Sequence, residues 1–370
     1  MVWITVLALI VLVVAYFVVF FRTAPQLGAN PTGNRLEKLQ QSPHYKNGIF
    51  LNPVETDMKF PFKAFLRAIY KTIFRSKNQE PQVPIQTIGF NKNEWENIPE
   101  NETAIAWFGH SSVLIKIEGK TILCDPVFSE RVSMFTTMGP KRFNYTNHMT
   151  VEQLPEVDLL IISHDHYDHM DYKTLMALKG KVNTIYTALG AGCHLEKWGY
   201  NPEIITEFDR WDTVNFKGLI LTTTPTRHFA GRNVNNRFTT HWCGWSIQGQ
   251  SKHVYFGSDS GYFDGFKEIG EKLPAIDFAM LECGAYNQDW SNIHMFPEET
   301  VQAAQDIKTK VLMPIHWAKF TLAFHAWKDP IERATKAALE NGLPLATPQI
   351  GEIFTLENDL PTAPWWQSYE

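Results

Sequence analysis

The chain has 370 residues, 44% hydrophobic and 20% charged, with 34 Lys+Arg against 39 Asp+Glu for a net charge of −5. At ~100–200 residues per domain this allows two or three domains, or one large α/β domain with an appendage, and the composition excludes a wholly disordered chain. The negative balance disfavours a nucleic-acid binder, whose usual mark is a basic face, and the four cysteines form no C-x-x-C pair, which excludes a zinc ribbon.

Residues 2–21 carry no charged side chain, and at 1.5 Å per residue they reach about 30 Å, the thickness of a bilayer core. A cleaved signal peptide is the competing reading. Against it stand the length of the run, the lack of a basic residue ahead of it, and Phe20-Phe21-Arg22 where a small-x-small site should close it. Residues 1–22 are therefore expected to be a single transmembrane anchor. Arg22, Arg35 and Lys38 on its C-terminal flank favour a cytoplasmic main body.

Residues 23–84 form a linker, punctuated by Pro and Gly as far as 58, with one short helix over 35–41. A basic amphipathic helix follows over about 60–75. Lys63, Arg67, Lys71 and Arg75 recur every fourth residue, opposite Phe62, Phe65, Leu66, Ile69, Tyr70, Ile73 and Phe74. Such a helix either lies on an anionic lipid surface, each basic residue worth ~1 kcal/mol, or packs on the domain with its basic face solvated.

The main domain, 85–370, opens on short β-rich runs. Those at 104–108, 112–117 and 121–124 make a meander ending at Asp125-Pro126. Residues 157–162 form a nearly all-apolar strand suited to burial on both faces, and a helix follows over 171–179. Later strands are expected at 219–223, 242–247, 253–256, 278–281 and 311–313, with helices at 297–308 and 330–341. Strands and helices mixed in this way predict one large α/β sandwich.

The chemistry concentrates in Ser163-His164-Asp165-His166-Tyr167-Asp168-His169-Met170-Asp171, where the apolar strand gives way to a helix. Imidazoles and carboxylates are the ligands Zn²⁺ takes in catalytic sites. His164 and His166, two apart on extended backbone, can share one ion; Asp168 and His169 can reach a second. One loop cannot close two coordination shells, so distant ligands are needed. His228 in Thr-Pro-Thr-Arg-His, Asp259 in Gly-Ser-Asp-Ser-Gly and His316 in Pro-Ile-His-Trp each lie just past a strand end. His110, in Trp-Phe-Gly-His-Ser, is placed to support these ligands from behind.

H-x-H-x-D-H followed by a lone His, a lone Asp and a lone His resembles the metallo-β-lactamase superfamily over residues 85–350, and Asp125 matches its early strand-closing Asp. Trp-Phe-Gly-His-Ser (107–111), Met-Gly-Pro-Lys-Arg-Phe (138–143), Gly-Ser-Asp-Ser-Gly-Tyr (257–262), Gly-Ala-Tyr (284–286) and Ile-His-Trp (315–317) are most similar to the N-acyl-phosphatidylethanolamine-hydrolysing phospholipase D family. The N-terminal anchor lies outside the resemblance. The resemblance implies an αβ/βα sandwich with two zinc ions at one edge. His164, His166 and His228 would hold one ion, Asp168, His169 and His316 the other, with Asp259 bridging. Tyr167 and His294 match positions near the family's bound substrate, and with Asp259 they are the candidate catalytic residues.

Two zinc ions that share a hydroxide make hydrolysis the default reaction. The anchor, the basic helix and the phospholipase-like motifs converge on a phosphodiester in a membrane phospholipid. The rivals are hydrolysis of a soluble ester, lactone or phosphorylated sugar lactone, and a non-catalytic zinc-binding protein. Nucleic acid is not expected as a partner, given the net charge and the lack of a basic arm.

Overall fold

A computed structural model describes residues 2–58, 66, 67, 70, 76–135, 137–233 and 235–369. Helix α1 (Val2–Thr23) buries none of its residues and is long and apolar enough to cross a membrane. Phe20, near its end, stacks on Phe135 of the domain with ring centroids 4.9 Å apart.

The segment after α1 lies along the domain. Trp198 Nε1 donates to the Pro25 carbonyl at 2.8 Å, and Arg232 Nε to that of Gln26 at 3.0 Å. Helix α2 (Gly33–Gln41) carries Arg35, which pairs with the buried Glu207 at 2.7 Å. Strands β1 (Tyr45–Lys46) and β2 (Ile49–Phe50) form a hairpin. Its two-residue turn is Asn47-Gly48, both at positive φ, 55° and 82°, as a tight hairpin turn requires. Beyond it Asn52 brackets the backbone of His228, accepting from its N–H at 3.0 Å and donating to its carbonyl at 2.8 Å. Of the basic amphipathic helix expected over about 60–75, Leu66, Arg67 and Tyr70 are helical; the rest, Lys63, Lys71 and Arg75 included, lies outside the described residues.

The short helix α3 (Lys92–Glu96) precedes the first sheet, which contains β3 (Ala104–Trp107), β4 (Val113–Ile117), β5 (Lys120–Cys124), β6 (Leu159–Ile162), β7 (Ile185–Ala188) and β8 (Ile205–Phe208). The second contains β9 (Thr213–Phe216), β10 (Leu219–Thr224), β11 (Gly244–Gln248), β12 (His253–Phe256), β13 (Phe278–Glu282) and β14 (Leu312–Ile315). The last strand, β15 (Ile353–Thr355), returns to pair antiparallel with β3. In the first sheet β3 to β5 are antiparallel and β5 to β8 parallel; in the second β9 to β12 are antiparallel and β12 to β14 parallel.

Side-chain alternation builds the layers. On one face Ile105, Ile115, Ile122 and Ile161 meet Leu221, Trp245, Phe256 and Met280 of the other sheet in a central core. On the opposite face Ala106, Leu114, Leu123 and Leu160 pack with Leu175 and Leu178 of α4 (Tyr172–Leu178) and Leu195 of α5 (Gly192–Lys197). Outside the second sheet Tyr255 and Leu281 pack with Ile269 of α6 (Gly265–Lys272), Val301 of α7 (Pro297–Asp306) and Ala338 of α8 (Asp329–Glu340). The result is an αβ/βα sandwich. The parallel strands β5, β6, β12, β13 and β14 end along one edge of it, where loops are released towards a common cleft.

Candidate metal centre

Each candidate ligand sits just beyond a strand end. The loop after β6 carries His164, His166, Asp168 and His169; β10 is followed by His228, β12 by Asp259 and β14 by His316. Several of these loops turn sharply. His110 (φ 56°), Asp125 (φ 40°), Ser258 (φ 56°) and His316 (φ 67°) hold left-handed backbone that non-glycine residues rarely adopt. Gly284 lets two loops meet: a Cβ there would lie 1.9 Å from the His316 carbonyl oxygen.

The ligand atoms form two nests. In the first, His166 Nδ1 lies 2.9 Å from His164 Nε2 and 3.2 Å from His228 Nε2. In the second, His316 Nε2 and His169 Nε2 lie 3.6 and 3.7 Å from Asp168 Oδ2. Asp259 Oδ2 belongs to both, at 3.1 Å from His316, 3.2 Å from His169, 3.7 Å from His228 and 4.0 Å from His164. Ligands about 2.0–2.1 Å from a tetrahedral ion stand about 3.3 Å from one another, so the spacing suits an ion in each nest.

Hydrogen bonding gives an independent test of fit. Ser163 Oγ donates to Asp125 Oδ2 at 2.5 Å and so accepts from His164 Nδ1 at 2.9 Å. His228 Nδ1 donates to the Ile293 carbonyl at 2.9 Å, and His169 Nδ1 to Asp125 Oδ2 at 2.7 Å. His164 and His228 thus keep their protons on Nδ1 and aim bare Nε2 lone pairs inward, and His169, its Nδ1–H on Asp125, turns Nε2 to the nest for an ion to take in place of a proton. His169 Nε2, His316 Nε2 and Asp259 Oδ1 are buried without any hydrogen-bond partner. Lone pairs that face one another in a dry site need a cation between them, and the donor set fits a divalent transition metal.

The charges agree. Burial lowers His164 and His228 well below the ordinary histidine pKa and brings His166 to about 4, so all three are neutral, as ligands must be. Burial also opposes the charging of His316, but Asp259 and Asp168 outweigh it and hold His316 up at about 10. His169 is raised in the same way. Without an ion these two imidazoliums carry the positive charge that the carboxylates require.

Residues 120–317 match the family described as the beta-lactamase superfamily domain. The chain belongs to that superfamily. An uncharacterized protein of Mycobacterium tuberculosis is 36% identical over 350 residues, 93% of this chain and 92% of its own length. The N-acyl-phosphatidylethanolamine-hydrolyzing phospholipase D 1 of Caenorhabditis elegans is 31% identical over 230 residues, 58% of this chain and 64% of its own. Among solved structures, a metallo hydrolase of Ignicoccus hospitalis shares the fold with a TM-score of 0.53 and 22% identity, over 70% of this chain and 100% of that one.

In this beta-lactamase superfamily chain the supporting residues are as ordered as the ligands. His110 is held neutral, its pKa brought to about 3 by burial and then His316, and it donates Nε2–H to Asp168 Oδ2 at 3.0 Å. Asp165 ties the motif to the His228 loop, accepting from Gly231 N at 2.6 Å and from His194 at 3.0 Å. His294 lines the metal pocket, and Glu282, fully buried at the end of β13, accepts from its Nδ1 at 3.1 Å and from Met295 N at 3.1 Å. Sequence reasoning missed Glu282; its one signal was an acid closing an otherwise apolar strand. Tyr167 is not brought to the pocket. Its hydroxyl donates to the Arg232 carbonyl at 2.6 Å, and its ring packs under the Arg232 guanidinium, 4.2 Å away, and against Val127 and Phe320.

The pocket over the two nests has a volume of about 380 Å³. Phe229, Trp290, Ile293 and Leu322 form its apolar walls, and Arg237 and Asp289 its charged rim. Arg67 reaches that rim, 3.4 Å from Asp289.

Proposed function

We propose that the chain is a membrane-anchored dinuclear zinc hydrolase that cleaves the phosphodiester of N-acyl-phosphatidylethanolamine-like phospholipids. The observation that carries this reading is the pair of ligand nests sharing Asp259 Oδ2 beneath a pocket with apolar walls and Arg237 at its rim. Similarity to the nematode phospholipase D supports the substrate class.

His164, His166, His228 and Asp259 would hold one ion, and Asp168, His169, His316 and Asp259 the other. Bound there, two divalent ions supply Lewis acidity towards a phosphoryl oxygen and lower the pKa of a water. The chain's own side chains do the rest. Arg237 lies over Phe229, 4.5 Å from its centroid, and among the described residues no carboxylate pairs with it, so its guanidinium would take a phosphate oxygen. His294, its Nδ1–H fixed on Glu282, has Nε2 for a proton at the leaving oxygen. Phe229, Trp290 and Ile293 would receive the first carbons of the lipid and exclude water around them.

Hydrolysis in ¹⁸O-water tests the reaction. Label is expected in the phosphatidic acid and none in the released N-acylethanolamine, because water attacks phosphorus. Label in the N-acylethanolamine would contradict this, as would a soluble lactone or ester turned over faster than any phospholipid.

Helix α1 would anchor the enzyme among its substrates, with Arg67 at the pocket rim near anionic headgroups. After an alkaline carbonate wash of membranes the full-length chain is expected in the pellet. Intact chain in the supernatant would remove the anchor from the account.

A further inference from the structure

A second cavity, of about 260 Å³, shares no lining residue with the metal pocket. Phe90, Phe108 and Phe128 wall it, meeting edge to face at 5.5 and 5.8 Å. Arg142, His148 and Lys319 bring nitrogen to it, and its lining includes no Asp or Glu.

Lys319 is the unusual member. It is only 3% exposed, and its Nζ makes one described hydrogen bond, to the Phe108 carbonyl at 2.8 Å, beside the Phe128 ring at 5.6 Å. Among the described residues no carboxylate lies within ion-pair distance of it. Lys116, the other buried lysine, shows how the fold satisfies such a group: its Nζ donates to the carbonyls of Trp95, Glu96 and Ile98 at 3.0, 3.2 and 2.7 Å. Lys319 has two N–H donors left over, and an ammonium buried with donors to spare is costly. Burial and the nearby Arg142 push its pKa down to about 7, a sign of how little offsets its charge.

The two neighbours are also short of anions. Arg142 Nη1 donates to the Phe128 carbonyl at 2.8 Å. The carboxylate that acts on it, Glu130, is engaged by Lys141 at 3.1 Å. His148 Nδ1 is buried with no hydrogen-bond partner. Three nitrogen side chains thus border one aromatic-walled space that contains no acid.

We propose that this cavity binds a small organic anion, its head on Lys319 and Arg142 and a flat or short apolar body between Phe90, Phe108 and Phe128. The head is a carboxylate or a phosphate monoester, both of which accept from an ammonium and a guanidinium; the volume suits a body about the size of one ring.

The test uses the full-length protein in detergent and three probes: 4-bromobenzoate, 4-bromophenyl phosphate and the neutral 4-bromobenzamide. Calorimetry should show one or both acids binding at least tenfold tighter than the amide, the preferred acid identifying the head. Arg142→Gln and Lys319→Met should each lower that affinity at least tenfold. Should Lys319→Met fail to fold, Arg142→Gln and the acid-to-amide ratio still decide. Bromine anomalous scattering from soaked crystals should place the ring between Phe90 and Phe108. Equal binding of the amide, undiminished binding by Arg142→Gln, or bromine in the metal pocket alone would overturn the proposal.

Discussion

Asp259→Asn is expected to lower kcat by roughly 10²-fold or more, the scale seen when charge stabilisation at a reacting centre is removed, and to lower the metal content below two ions per chain. The substitution keeps size and shape. It removes the negative charge and, on one side, the lone pairs, from the single atom that lies within reach of four imidazole nitrogens. Both nests weaken together, because neither has another residue to supply the shared oxygen. Excess zinc should restore little of the rate, since the missing element is the bridge and not the supply of ions. Elemental analysis alongside initial rates decides. Two ions per chain at wild-type rate would show that Asp259 does not link the nests.

Asp125→Asn should behave differently, though Asp125 touches no ion position. Its carboxylate accepts from Ser163 N, Ser163 Oγ and His169 Nδ1 in a fully buried place. An amide can offer its oxygen to one side only. Its NH₂ then meets either the Ser163 N–H or the His169 Nδ1–H, donor against donor, and leaving such a group unsatisfied costs about 1–3 kcal/mol. His169 can escape by moving its proton to Nε2, the nitrogen that faces the nest. Metal affinity should therefore fall about 10–100-fold, as when a ligand's outer partner is lost. Here excess zinc should recover most of the activity, because every ligand atom remains. A titration of metal-depleted protein, followed by turnover, separates the two variants. An unchanged midpoint for Asp125→Asn would mean that His169 is oriented by other contacts.

The site was legible in the sequence where its chemistry is local. His164, His166, Asp168 and His169 fall within one loop after an apolar strand, and His228, Asp259 and His316 each follow another, so strand ends and ligands announced each other. The structure brings all seven together. What was not legible depends on contacts distant in the chain. Strand β8 reads Ile-Thr-Glu-Phe, with an acid in its middle, and Arg35 of the N-terminal segment together with the Gly192 N–H makes that acid tolerable in the interior. Strands β7, β9 and β15, three or four residues long, were not expected from the sequence. Glu282 has no metal-like spacing; its role comes from His294 and the Met295 N–H arriving from the next loop. Tyr167 lies within the motif itself, but its side chain turns to Arg232, a direction no spacing encodes.

The central claim, two ions held by this chain for the cleavage of a lipid phosphodiester, meets its most direct test in one titration. Metal-depleted full-length protein in mixed micelles of N-acyl-phosphatidylethanolamine is given zinc stepwise, and release of phosphatidic acid is followed. Turnover should be near zero without metal and rise to a plateau at about two equivalents per chain, as two nests of ligands require. A plateau at one equivalent, turnover that ignores zinc, or no phosphatidic acid at any zinc level would contradict it.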